Sequence, residues 1–149
     1  MNPIPLSVSL MNNLVSLPSH ELHRYLGARL VSESKVEFCV WSPAVDCVHI
    51  YLEGGEGKEP FALQKQDGGY HVGTMDCVGV GTRYYCSFDG GPPRPDPASR
   101  FQPEGVHGPS QVVARDFAWT DSDWQGVPRH LLVIYELHIG AFTEAGTFR

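Results

Sequence analysis

Glu136 and His138 are the side chains of this sequence best placed by type and spacing to take part in chemistry. They stand two apart near the end of an otherwise apolar run, Leu131–Ile139. In an extended chain residues i and i+2 share a face, so the carboxylate and the imidazole would point the same way. Such a pair can touch a substrate, or it can hydrogen-bond at a strand end and stabilise it. Trp41 and Tyr51 fall opposite the best apolar triplets of their segments. That makes them candidate surface rings able to stack on the apolar faces of a sugar, with edge packing as the alternative. Asp96 and Arg100, four apart in a proline-rich stretch, can form an ion pair. Phe101 in the same stretch, with Trp119 and Trp124 beyond it, is suited to pin chain segments onto a neighbouring surface.

Other chemistries leave no trace. Cys39, Cys47, Cys77 and Cys86 show no C-x-x-C spacing and are expected as reduced, buried thiols. His20-Glu21-Leu22-His23 is one residue short of the zinc-binding H-E-x-x-H pattern. No structural metal is therefore expected. Gly79-Val80-Gly81 is too sparse for a phosphate loop and is expected to be turn.

The elements that would hold these residues are short strands. Val36, Phe38 and Val40 alternate with Lys35, Glu37 and Cys39, and Val48, Ile50 and Leu52 alternate with Cys47, His49 and Tyr51. Strands are predicted at Pro60–Gln64 and Tyr70–Thr74, joined by a Gln66-Asp67-Gly68-Gly69 hairpin turn. Others follow at Thr82–Phe88, with Tyr84 and Phe88 facing the core, and at Ser110–Ala114 as an edge. This spacing of short strands and turns indicates an all-β sandwich over residues 27–114. Residues 1–26 read as an extension, either poorly ordered or forming one short helix around Ser19–Tyr25 capped by Ser19. Within the sandwich, residues 94–109 read RPDPASRFQPEGVHGP. Four prolines make this an extended, stiff strap, too varied in texture to be a solvated linker. A polar and aromatic connector, 115–130, leads to the apolar run.

At 149 residues the chain holds one domain, or one domain and a piece of another. Its 42% apolar and 19% charged content suits a chain that buries a core. A net charge of −6 argues against nucleic acid or an anionic membrane as partner. No apolar run reaches a membrane span, and the first residues lack the basic start and cleavage site of a signal peptide, so a cytoplasmic location is expected.

Two stretches carry a family resemblance. PDPASRFQPEGVHGPS, followed by LVIYELHIGAFTEAGTF, resembles the malto-oligosyltrehalose trehalohydrolases, glycoside hydrolases of the α-amylase superfamily (family 13). The likeness starts near Gly27-Ala28-Arg29 and passes through Val40-Trp41-Ser42-Pro43 to the last residue. It implies an N-terminal immunoglobulin-like (E-set type) sandwich followed by the first strand of a (β/α)8 barrel, truncated within residues 131–149. Glu136 and His138 would then lie at the C-terminal mouth of that barrel. Glycoside hydrolysis normally requires two flanking carboxyl groups, which the resemblance puts on later strands. The chain is thus expected to be inactive alone and to have a (β/α)8 catalytic domain as partner. The resemblance also favours a strap that cements sandwich to barrel through Asp96, Arg100 and Phe101. The alternatives are a stand-alone α-glucan or maltooligosaccharide-binding module, or a structural interaction domain of a branching or debranching relative.

Overall fold

A computed structural model describes residues 14–55, 59–114 and 117–148. The chain divides into two compact units, Met1–Asp116 and Phe117–Arg149.

The first unit is built from eight strands: β1 (Gly27–Ser32), β2 (Lys35–Trp41), β3 (Val48–Leu52), β4 (Phe61–Ala62), β5 (Gln64–Gln66), β6 (Tyr70–Asp76), β7 (Arg83–Phe88) and β8 (Ser110–Gln111). They form two four-stranded sheets of order β1-β2-β6-β5 and β4-β3-β7-β8, antiparallel at every pairing. The period-two pattern dictates which face is which. Val36, Phe38 and Val40 of β2 meet Val48 and Ile50 of β3 and Tyr84 and Cys86 of β7 in one core between the sheets. Phe38 sets its ring edge-on to Tyr84 at 5.1 Å. Burying each such side chain contributes about 1.5–3 kcal/mol. The expected sandwich is present.

Residues 60–64, expected as one strand, instead serve both sheets. β4 pairs with β3, whereas β5 pairs with β6. Between them Leu63 turns into the core, its N–H donating to the Val48 carbonyl at 2.9 Å. Gly73 on β6 makes room for this crossing, because a Cβ there would lie 2.7 Å from Phe61 and 2.9 Å from Leu63. The Asp67–Gly69 turn is present, with Gly68 and Gly69 both at positive φ.

Of the N-terminal extension, residues 1–13 lie outside the described residues. From residue 14 on, the chain forms a 3-10 turn (Leu14–Ser16), the short helix α1 (Ser19–Leu22) and a second 3-10 turn (His23–Tyr25). Pro18, not Ser19, is the N-cap, and no side chain caps the helix. Leu14 and Leu22 are wholly buried with Cys39 and Val72, which face outward from β2 and β6. These turns are too short to show a helical period, so the sequence gives little sign that they pack.

All four cysteines are free thiols; Cys39 and Cys86 are buried, whereas Cys47 and Cys77 are exposed, contrary to the expectation that all would be covered.

The second unit departs from expectation. Among its described residues no strand forms over Leu131–Ile139. A 3-10 turn covers Arg129–Leu131 and a short helix, α2, covers Ile139–Phe142. Leu132 and His138 keep extended dihedrals, but Val133 is 94% and Ile134 84% exposed. A central strand of a parallel barrel needs a ladder on each side, and this unit supplies neither. No helix among the described residues is long and apolar enough to cross a membrane.

Candidate functional site

The strap is held by a buried polar cluster. Asp96 is nearly inaccessible and accepts hydrogen bonds from the Tyr84 hydroxyl at 2.6 Å and the Ala98 amide at 2.8 Å. Its own amide donates to the Ser110 hydroxyl at 2.9 Å. Burial pushes the Asp96 carboxyl up, opposed by the Tyr84 hydroxyl, the Ala98 amide and the Arg100 charge. Tyr84 is pushed up by burial and by the Asp96 charge, so it stays a donor. The strap also borders the sheet: Arg94 and Cys86 exchange amide–carbonyl bonds at 2.8 and 2.7 Å, extending the β8 side of β7. Arg100 donates to the carbonyls of Ala28 at 2.6 Å and Leu26 at 2.8 Å. Asp96 and Arg100 therefore bind the strap to the sandwich itself. Phe101 remains about half exposed and Val106 three-quarters exposed, giving the strap a free apolar margin.

Trp41 and Tyr51 are both exposed, at 53% and 36%, but they do not share a site. Trp41 pairs with Tyr70 and points away from the core on the β1-β2-β6-β5 sheet, its Nε1–H donating to the Gly68 carbonyl at 3.0 Å. Tyr51 pairs with Tyr85 and points away from the core on the opposite sheet. The two rings therefore do not form one continuous face.

A cleft of about 470 Å³ opens beside the strap, lined by Ser42, Phe88, Pro92, Arg94, Pro95 and Pro97. It presents no carboxyl group. Glu53 and Glu104, which do come close to one another, are bridged by Arg83 at 3.2 and 2.6 Å and lie partly exposed. Neither place arranges an acid and a nucleophile around a substrate bond.

His71 is a feature the sequence reading passed over. It faces inward from β6 with no exposed surface, one ring nitrogen 3.3 Å from the Ser42 carbonyl and Nδ1 without a hydrogen-bond partner among the described residues. Burial holds its pKa below the ordinary histidine value. The Tyr84–Asp96–Ser110 cluster was likewise missed. Its members are 12 and 14 residues apart, and no local spacing announces them.

In the second unit Glu136 is exposed, and the His138 carbonyl accepts the first α2 bonds from the Ala141 and Phe142 amides at 3.0 Å. Trp119 packs edge-on against Phe117 at 4.7 Å, and Trp124 is 69% exposed.

No family model matches the chain. The malto-oligosyltrehalose trehalohydrolase of Saccharolobus solfataricus is 43% identical over 118 residues, covering 79% of this chain and 20% of that protein. The protein of the same name from Deinococcus radiodurans is 37% identical over 132 residues, covering 87% and 21%. Among solved structures, a Salmonella typhimurium protein provisionally named an alpha amylase aligns with a TM-score of 0.67 at 34% identity, over 83% of this chain and 21% of its own. The chain spans about a fifth of the length of the curated relatives it matches.

Proposed function

Since this chain is a homologue of the malto-oligosyltrehalose trehalohydrolases over about a fifth of their length, we propose that it is the N-terminal accessory part of such a glycoside hydrolase. In this reading the sandwich is of the immunoglobulin-like E-set type. The whole protein releases trehalose from a maltooligosyl-trehalose in the cytoplasm and uses no metal or organic cofactor. The observation that carries the reading is the state of Leu131–Leu137, a run of strand-forming residues left exposed and unpaired among the described residues. It becomes the first strand of a (β/α)8 barrel when the neighbouring strands are supplied, and Glu136 and His138 then reach the barrel mouth. There they contact substrate or brace the mouth by hydrogen bonds. The exposed margin of the strap at Phe101, with Trp119 and Trp124, docks against that barrel, while Asp96 and Arg100 keep the strap in shape.

The catalytic carboxylates of this scheme reside on the later strands, so the chain alone is inactive. The test is trehalose release from maltooligosyl-trehalose. Purified chain should release none. The same chain joined to the remaining four-fifths of a relative should release trehalose, and activity of the chain alone would sink the proposal.

A second reading, a glucan-binding module, rests on the exposed rings of Trp41 and Tyr51. Retardation on a starch affinity gel, lost in Trp41→Ala or in Tyr51→Ala, would favour it and would identify the sheet that binds. Unretarded migration of the intact chain would dismiss it.

A further inference from the structure

The two buried thiols lie under different covers. Cys86 faces the core between the sheets. Cys39 faces the other way from β2, beneath residues 14–26, and its Sγ–H donates to the Leu22 carbonyl at 3.7 Å. Burial, aided by the Asp96 and Glu37 charges, pushes the Cys39 thiol up to about 12, so it is unreactive while covered.

The cover itself is slight. Its helix and 3-10 turns are three or four residues long, well below the length at which a helix persists by itself. It is held by the burial of Leu14 and Leu22, by the partly buried Val15, Leu17, Tyr25 and Leu26 packed with them, by the Arg29 guanidinium over the Tyr25 ring, and by polar fastenings at each end. At one end the Leu14 amide donates to Glu37 Oε1 at 3.4 Å, and Arg29 also binds this carboxylate, its Nε at 3.1 Å. At the other end Arg100 of the strap holds the carbonyls of Leu26 and Ala28. Gly27 lies between those carbonyls at φ +89°, and a Cβ there would come within 2.7 Å of the Ala98 carbonyl oxygen and 2.9 Å of Arg100 Nη1. The joint between cover and β1 is thus a left-handed glycine clasped by the strap.

We propose that residues 14–26 are a cover hinged at Gly27 and latched by Arg100, which opens as a unit while the two-sheet core stays closed. Opening bares Cys39 and Val72 on the outer face of the β2–β6 pair. Because the latch belongs to the strap, any partner that shifts the strap on one side of the sandwich alters access to the opposite sheet. The cover shares a smaller buried apolar cluster than the one between the sheets, and segments with fewer buried apolar contacts open at lower cost, which is the physical basis of the separation.

The test is alkylation of the native chain by N-ethylmaleimide, read cysteine by cysteine by peptide mass spectrometry. Exposed Cys47 and Cys77 serve as fast references. Cys39 should react at least about 10-fold faster than Cys86, because local opening is cheaper than global unfolding. Arg100→Ala should speed Cys39 about 5-fold through loss of the hydrogen bond to the Leu26 carbonyl, and leave Cys86 unchanged. Leu22→Ala, which loosens the cover without touching the strap, should act in the same direction and gives the readout if Arg100→Ala does not fold. Equal rates at Cys39 and Cys86 in the unaltered chain, or variants that speed both alike, would overturn the cover. An Arg100→Ala chain with unaltered Cys39 reactivity would overturn the latch.

Discussion

Tyr84 and Tyr135 stand in apolar stretches of similar strand-forming character and meet opposite fates. Tyr84 is 1% exposed on a strand with partners on both sides, its hydroxyl spent on Asp96; Tyr135 is 73% exposed on a segment without a ladder. The difference is not in the residues. Tyr84 has β3 and β8 beside it, and Phe38 from the other sheet beneath its ring. Leu131–Leu137 has the composition of a buried strand but none of the neighbours. An alternating or apolar run states what a segment can become; the rest of the chain decides whether it does.

Substitutions can break that contrast, and the largest effect belongs in the core. Phe38→Ala should cost about 3–5 kcal/mol in urea unfolding. Next comes Asp96→Ala, which leaves the buried Tyr84 hydroxyl and the Ala98 amide without an acceptor; a loss of about 2–4 kcal/mol is expected from the same measurement. If Asp96→Ala proves neutral, the strap is not anchored as described.

A pH titration sharpens the contrast further. His71 has a folded pKa below the ordinary value of 6.5, so below that value the unfolded chain binds the proton more readily. Stability should therefore fall as pH drops from 6.5 toward the folded pKa, then level for this group. Lys65, Asp46 and Asp89 are the charged groups that act on the ring. His71→Gln should flatten this part of the stability–pH curve; an unchanged curve would remove His71 as its source. The smallest effect is expected at Val133→Ser, within about 0.5 kcal/mol of the parent in sandwich unfolding, because the side chain is almost wholly exposed.

How far the sequence was legible follows from the same physics. Alternation at Val48–Leu52 shows plainly, because one face lies in the core and the other outside; at Val36–Val40 it shows because the core face is wholly apolar, while the opposite face, also buried, carries Glu37 and Cys39. β1 shows less, since its outward Arg29 is tied to Glu37 and the strand has no clean apolar face. The sheet switch at Leu63 looks like one continuous strand because its cause, the missing Cβ of Gly73, lies ten residues away. The strap was recognisable as a docking element from its prolines, yet its partners Tyr84, Ser110, Leu26 and Ala28 are tertiary and leave no spacing to read. Trp41 and Tyr51 read as surface rings and are exposed, but only the sheet assignments reveal that they face apart.

The most direct test of a closed sandwich and an unpaired apolar segment at Leu131–Leu137 is native-state hydrogen exchange on the isolated chain. Amides of β2, β3 and β7 should be protected to near the global stability, while amides 132–138 exchange at close to the rate of free peptide. Strong protection across 132–138 in a monomeric chain would contradict the account, because that segment would then have found its ladder without the strands we assign to it.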